Sequence, residues 1–278
     1  MTPQDLVTHI RKNATSFEED DILYYIVEND QKVSDEGLSD YAARIVKAAT
    51  APPAEAPSAG EPLVAAAIDG RKIRWEVPTH LTWAMDETSF NGEPEALTAA
   101  IKLCEAATAD WNAAFEQEKI HDLISFSPAD EGTEPVFRFV FKEFFGRPDL
   151  LALAFFPNDP ASSRVVYLTP RALLEDTGYD KIGIIRHELG HVLGCRHEQI
   201  RSEAQQGVSD LDKTRLEQWV TGDISAEELT KYDRQSCMHY PMLGGGTHDF
   251  QISELDRKGI AQLYREPSNS PGISAHSI

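Results

Sequence analysis

The side chains best placed to do chemistry lie in one stretch, His187-Glu188-Leu189-Gly190-His191-Val192-Leu193-Gly194-Cys195-Arg196-His197. His187 and His191 are four residues apart, so on a helix they share one face and can grip one ion. If the helix ran on, His197 would lie about 9 Å further along the axis and roughly two-thirds of a turn away. Zinc–nitrogen bonds are about 2.1 Å long, so the three imidazoles can meet only if the helix ends first. Gly194 is where it can end, since glycine enters the left-handed conformation without a Cβ penalty. Three neutral ligands leave a fourth position for water, which is the arrangement of a catalytic zinc site. Glu188 then faces the open side of the ion and is the candidate general base. The expectation is one Zn2+ per chain, held by His187, His191 and His197.

A second stretch, Ser236-Cys237-Met238-His239-Tyr240, follows about forty residues downstream. Together the two resemble the metzincin metallopeptidases and, within that clan, the astacin family. His197-Glu198-Gln199-Ile200-Arg201 is similar to that family's extension of the zinc motif, and Ser236 to Tyr240 to its methionine turn. The close resemblance covers roughly thirty residues; a looser one runs from about residue 63 to 265.

The resemblance implies a zinc-dependent endopeptidase. Glu188 would take a proton from water and pass it to the leaving amine. Tyr240 would ligate zinc, or swing away to stabilise the oxyanion. Met238 would form an apolar floor, and Glu198 would bond a freed N-terminus or pair with Arg201. The implied fold is α+β: a twisted, mostly parallel sheet with two long helices in an upper half, above a mainly helical lower half. Two alternatives stand beside this reading. One is another metzincin, serralysin-like or matrixin-like; serralysins, however, usually follow the third histidine with proline and carry glycine-aspartate repeats, and neither is here. The other is an inactive zinc-binding scaffold that recruits partners through its N-terminal helices, which would have no need of Glu188.

Charge is 26 basic against 46 acidic residues, a net of −20, which repels nucleic acid and anionic membranes; the resemblance implies a peptide or protein substrate. Three cysteines, Cys104, Cys195 and Cys237, do not make a disulfide framework, whereas astacins usually carry two disulfides. Residues 1–30 lack the pattern of a signal peptide, and no apolar run is long enough to span a membrane. A reducing compartment such as the cytoplasm is the default expectation, with signal-less export as the alternative.

These residues need elements to position them. Residues 1–50 read as a helical N-terminal unit, with a capping box at Ser16-Phe17-Glu18-Glu19 before Ile22, Tyr25 and Ile26, and a second start at Ser39-Asp40. A Pro/Ala linker spans 51–62, so the unit is a pro-segment, an interaction module or a plain extension. The catalytic domain spans 63–265. It opens on a hairpin around Asp69-Gly70. Astacin pro-segments block zinc with an aspartate beside a glycine, but the order here is reversed and turn chemistry favours the hairpin. A helix follows Pro94, with Leu97, Ile101, Cys104, Thr108, Trp111 and Phe115 on one stripe. Strands are expected at 123–126, 136–142, 151–156 and 164–168, with 151–156 the candidate edge for substrate pairing. The zinc helix begins near Asp180. Two short helices start at Ser209 and Ser225, a last one runs from Ser253 to Tyr264, and 266–278 reads as a disordered tail.

Overall fold

The computed structural model describes residues 2–19, 21–27, 30–49, 64–68, 71–200, 226–241 and 245–266. At the start, Thr2 and Asp5 form a capping box for α1 (Pro3–Asn13). Three antiparallel strands follow, β1 (Ser16–Glu19), β2 (Ile22–Val27) and β3 (Gln31–Ser34), and then α2 (Leu38–Ala49). The unit is therefore not helical throughout. The capping-box reading at Ser16 fails because Ile22–Val27 is almost wholly β-branched and aromatic, a composition that suits a pleated surface. Asp21, at φ 61°, turns β1 back onto β2, a conformation no helix could continue. Leu6, Val7, Ile10, Tyr25, Val27 and Leu38 form a small core of the unit's own.

The expected hairpin is present as β4 (Val64–Ile68) paired antiparallel with β5 (Arg71–Lys72); Asp69-Gly70 and the 51–62 linker lie outside the described residues. Next comes β6 (Thr79–Met85), a strand the sequence reading passed over although Leu81 and Trp83 alternate inward. Then follow α3 (Pro94–Gln117), β7 (Ile124–Pro128), β8 (Phe137–Phe141), β9 (Ala152–Leu153), β10 (Val165–Leu168), α4 (Pro170–Leu174) and α5 (Lys181–Val192). The five-stranded sheet has the order β7-β6-β8-β10-β9. Its first four strands are parallel, and β9 is the antiparallel edge. The edge is shorter than the expected 151–156, because Ala154 already bridges to Gln31 and the chain turns at Phe156. The chain is thus α+β with a mixed sheet.

Beyond the zinc helix, β11 (Ala226–Glu228) pairs with β4, where a helix from Ser225 was expected. Backbone pairing to a strand far away in sequence overrides the local cap signal there. Ser209, Ser225, Arg201 and the tail from Pro267 lie outside the described residues. The last helix, α6 (Glu254–Arg265), starts at Ser253 as expected, with a full capping box to Asp256.

Two buried tryptophans and a tyrosine anchor α5. Trp111 on α3 donates its indole N–H to the Arg186 carbonyl, Trp75 to Val192, and the Tyr264 hydroxyl donates to Leu193. The last two satisfy carbonyls that a helix end leaves without partners. Asp180 caps the other end through the N–H groups of Ile182 and Gly183. Gly194 takes φ 96°. Its N–H bonds the His191 carbonyl and that of Cys195 bonds the Gly190 carbonyl, the two bonds of a Schellman cap.

A Cβ at Gly194 would run into the Ile73 carbonyl, whereas Gly178, also at positive φ (75°), has open space around it. Gly178→Ala is expected to cost about 1 kcal/mol from conformation alone. Gly194→Ala should cost clearly more in urea unfolding, about 2–4 kcal/mol, since a clash adds to the strain. Equal costs would mean the close approach to Ile73 is not real.

Candidate metal centre

The turn after Gly194 does what the spacing required. His187 and His191 come from one face of α5, and His197 returns from the chain beyond it; the three are 2%, 0% and 2% exposed. His191 Nε2 lies 3.2 Å from His197 Nε2. The opposite nitrogens of the two helical rings are committed: His187 Nδ1 donates to the Cys237 carbonyl at 2.7 Å, and His191 Nδ1 to the Cys195 carbonyl at 2.8 Å. With Nδ1 protonated, the lone pair of each ring sits on Nε2.

A fourth group joins them that no motif in the sequence announces. Asp30, from the N-terminal unit, sets Oδ2 at 3.2 Å from His187 Nε2 and 3.1 Å from His197 Nε2, and Oδ1 at 3.7 Å from His191 Nε2. One ligand atom from each of these four buried residues lies within 4.8 Å of the others. Asp30 Oδ1 is buried without a hydrogen bond. Three imidazoles and a carboxylate gathered in one dry pocket are a donor set for a cation, and mixed N and O donors, four in number, suit zinc. Burial opposes ionisation of Asp30, yet the facing histidines hold its carboxyl well below the usual range. Glu188, 3% exposed, has one carboxylate oxygen without a partner. Burial, and then the Asp30 charge, push its pKa well above the usual range. The Tyr240 hydroxyl donates to Asp30 Oδ2, and its ring stacks on His187 at 5.2 Å. A cavity of ≈ 420 Å³ opens beside Asp30, His187, Glu188 and Tyr240, with Tyr179 and Arg171 among its further walls.

The second stretch forms the floor. A Cβ at Gly190 would collide with the Met238 sulfur, so this position in the zinc motif is glycine because methionine packs directly against the helix. Asp256 reaches from α6 to hold the turn. Its carboxylate accepts from Ser236 Oγ at 2.6 Å, Cys237 N at 2.8 Å and Ser253 N at 2.9 Å. A residue readable only as a helix cap thus fixes the carbonyl that orients His187. Glu198 is fully buried and accepts from the Asp233 N–H at 2.8 Å. His239 donates from Nδ1 to the Tyr240 carbonyl and accepts the Tyr232 hydroxyl at Nε2. Gly245 and Gly246 wrap this residue so closely that a Cβ on either would strike His239. Cys104, Cys195 and Cys237 are buried free thiols packed in the core. No other group of three or more His, Cys, Asp or Glu among the described residues is arranged to hold a metal.

A helix-borne histidine pair, a third histidine past a glycine turn and a glutamate beside the first define a zinc-hydrolase type of site. Residues 153–257 match the family model of astacin, a family of peptidases. The matched stretch contains His187, Glu188, His191, His197 and the methionine turn. It is 35% identical over 107 residues to zinc metalloproteinase nas-38 of Caenorhabditis elegans, covering 36% of this chain and 15% of that protein. The chain thus spans only a small part of the length of this relative. Among solved structures, myroilysin superposes with a TM-score of 0.47 at 18% identity, covering 73% of this chain and 99% of that one. High choriolytic enzyme 1, a hatching-enzyme zinc-protease from the medaka Oryzias latipes, gives 0.40 at 17%, covering 69% and 94%.

Burial lowers the His239 pKa to about 4. In the unfolded chain the ring titrates at about 6.5. Its depressed value means the folded state binds fewer protons than the unfolded state between these pH values. Its contribution is therefore complete above about 6.5 and is lost as pH falls towards 4, at most about 3 kcal/mol in all. His239→Asn should lower stability at pH 7 and flatten the pH dependence of urea unfolding across that window. A variant with the wild-type slope would show that His239 is not the group responsible.

Proposed function

We propose that this chain is a zinc-dependent endopeptidase of astacin type, of metzincin architecture, whose site is covered by its own N-terminal unit. The observation that carries the reading is the convergence of His187, His191 and His197 with Glu188 alongside, inside the segment that matches the astacin family. His187, His191 and His197 would hold the zinc, which when bound supplies a Lewis acid and lowers the pKa of water. Glu188 acts as the base that takes a proton from the attacking water and returns it to the leaving amine. Its buried position keeps competing solvent away and raises its affinity for that proton. Tyr240, once released from Asp30, donates its phenol to the developing oxyanion. The antiparallel edge β9 offers backbone groups to an extended peptide.

Asp30 supports a pro-segment reading of residues 1–50. Its carboxylate occupies the place between the histidines and also engages the Tyr240 hydroxyl. One side chain so blocks both the ligand set and the oxyanion donor. Three buried free thiols support residence in a reducing compartment.

Three variants test this on casein or an unstructured peptide, the first two made in the Asp30→Ala background, where the site is unblocked. Glu188→Gln should keep the metal and abolish hydrolysis, because an amide is no base; near wild-type turnover would refute the mechanism. Tyr240→Phe should lower kcat by about 10²–10³ with little change in KM. An unchanged kcat would make Tyr240 structural. Asp30→Ala should make the full-length chain faster than wild type, and no gain would show that the Asp30 carboxylate is not what blocks the site.

A further inference from the structure

The N-terminal unit meets the rest of the chain at a second place, separate from the histidines. Ile26 is buried against Phe144, Leu150, Leu153 and Tyr167. The Phe17 ring packs edge-on against Phe144 at 5.0 Å and Tyr167 at 5.8 Å. Lys142 stands 4.7 Å from the Phe17 ring centre and 5.1 Å from that of Tyr167, and pairs with Glu19 at 3.3 Å. Lys32, 6% exposed, lies 4.8 Å from the same Tyr167 ring. The Tyr24 hydroxyl bonds Ser163 Oγ at 2.7 Å. Between the two places, the Asp30 carbonyl accepts from the Ala154 N–H and Gln31 bridges to Ala154, so the unit also sits on the sheet edge.

We propose that residues 2–49 form a docked inhibitory module that stays on the site after the chain is cut within 51–62, so that release requires destruction of the module itself. This rests on the peptidase reading only for what the module inhibits. A cut in the linker removes a tether, and with it a high effective concentration, but none of these contacts. Cations held on aromatic faces bind more strongly when buried, as Lys32 is. Separation would expose Phe17 and Ile26 on the module and Phe144 and Tyr167 on the other piece, returning apolar surface to water on both. A module of about fifty residues has too small a core to be robust alone, so docking and folding support each other. Its own core and its second docking surface both lie outside the 51–62 stretch, so an intact module keeps the means to stay bound.

The test uses the full chain with a recognition site for an unrelated cysteine protease placed within 51–62. After cutting, size-exclusion chromatography with light scattering should show the two pieces migrating together at one-to-one, at concentrations down to about 1 μM. Casein hydrolysis should stay at the uncut level. The pieces of the Phe17→Ala/Lys142→Ala variant should separate after the same cut. Glu19→Lys, which sets two cations face to face at the half-buried rim, should weaken docking in the same way and serves if the double variant folds poorly. The cut Asp30→Ala protein should still migrate as one complex. Separation of the cut wild-type pieces would overturn the proposal, and separation of the Asp30→Ala pieces would overturn docking independent of the histidines. A catalytic piece freed by Glu19→Lys that hydrolyses nothing, beside a wild type that stays docked, would instead remove the peptidase reading and leave the docking intact.

Discussion

His187 and His191 each give the Nδ1 proton to a backbone carbonyl, and much of the molecule serves to keep those two carbonyls still. An imidazole that rotated by a few tens of degrees would no longer point its lone pair at the shared centre. The Cys195 carbonyl is placed by the Schellman cap at Gly194, itself backed by Ile73 and by the Trp75 and Tyr264 side chains. The Cys237 carbonyl is placed by Asp256, which ties the methionine turn to the last helix. Met238 fills the space that Gly190 leaves, so turn and helix cannot slide past each other. Residues from β5 to α6 thus converge on two hydrogen bonds whose donors are the ligand rings themselves.

The same centre joins the two ends of the chain. Asp30 approaches the three imidazoles with a charge that burial alone would suppress, and they stabilise that charge in return. Its carboxylate also raises the proton affinity of Glu188 and engages the hydroxyl of Tyr240. One acidic side chain therefore acts on the three histidines, Glu188 and Tyr240 together. The sheet edge and the Phe17–Lys142–Tyr167 contacts hold it there with no need of the histidines.

What was legible in the sequence follows the range of the interactions. The three histidines, Glu188 and Gly194 could be read because helix geometry and one turn set all their relations within eleven residues. The caps at Asp180 and Ser253 were likewise local. Asp30 was not readable, since it meets His187 across 157 positions and its neighbours Asn29 and Gln31 form no glycine pattern. Asp69, beside Gly70, drew attention instead. The β-strands at 16–34 hid behind a local capping signal, although Ile22–Val27 carried the opposing strand composition. Alternation of Leu81 and Trp83 was a usable signal for β6. Gly245 and Gly246 are explained by the His239 residue they enclose, a contact no local pattern announces.

Diffraction at the zinc absorption edge shows whether the three histidines share one zinc ion. Crystals of the full chain purified with zinc should give a single anomalous peak about 2.1 Å from the Nε2 atoms of His187, His191 and His197. A peak bound elsewhere, or none between these rings, would contradict the account.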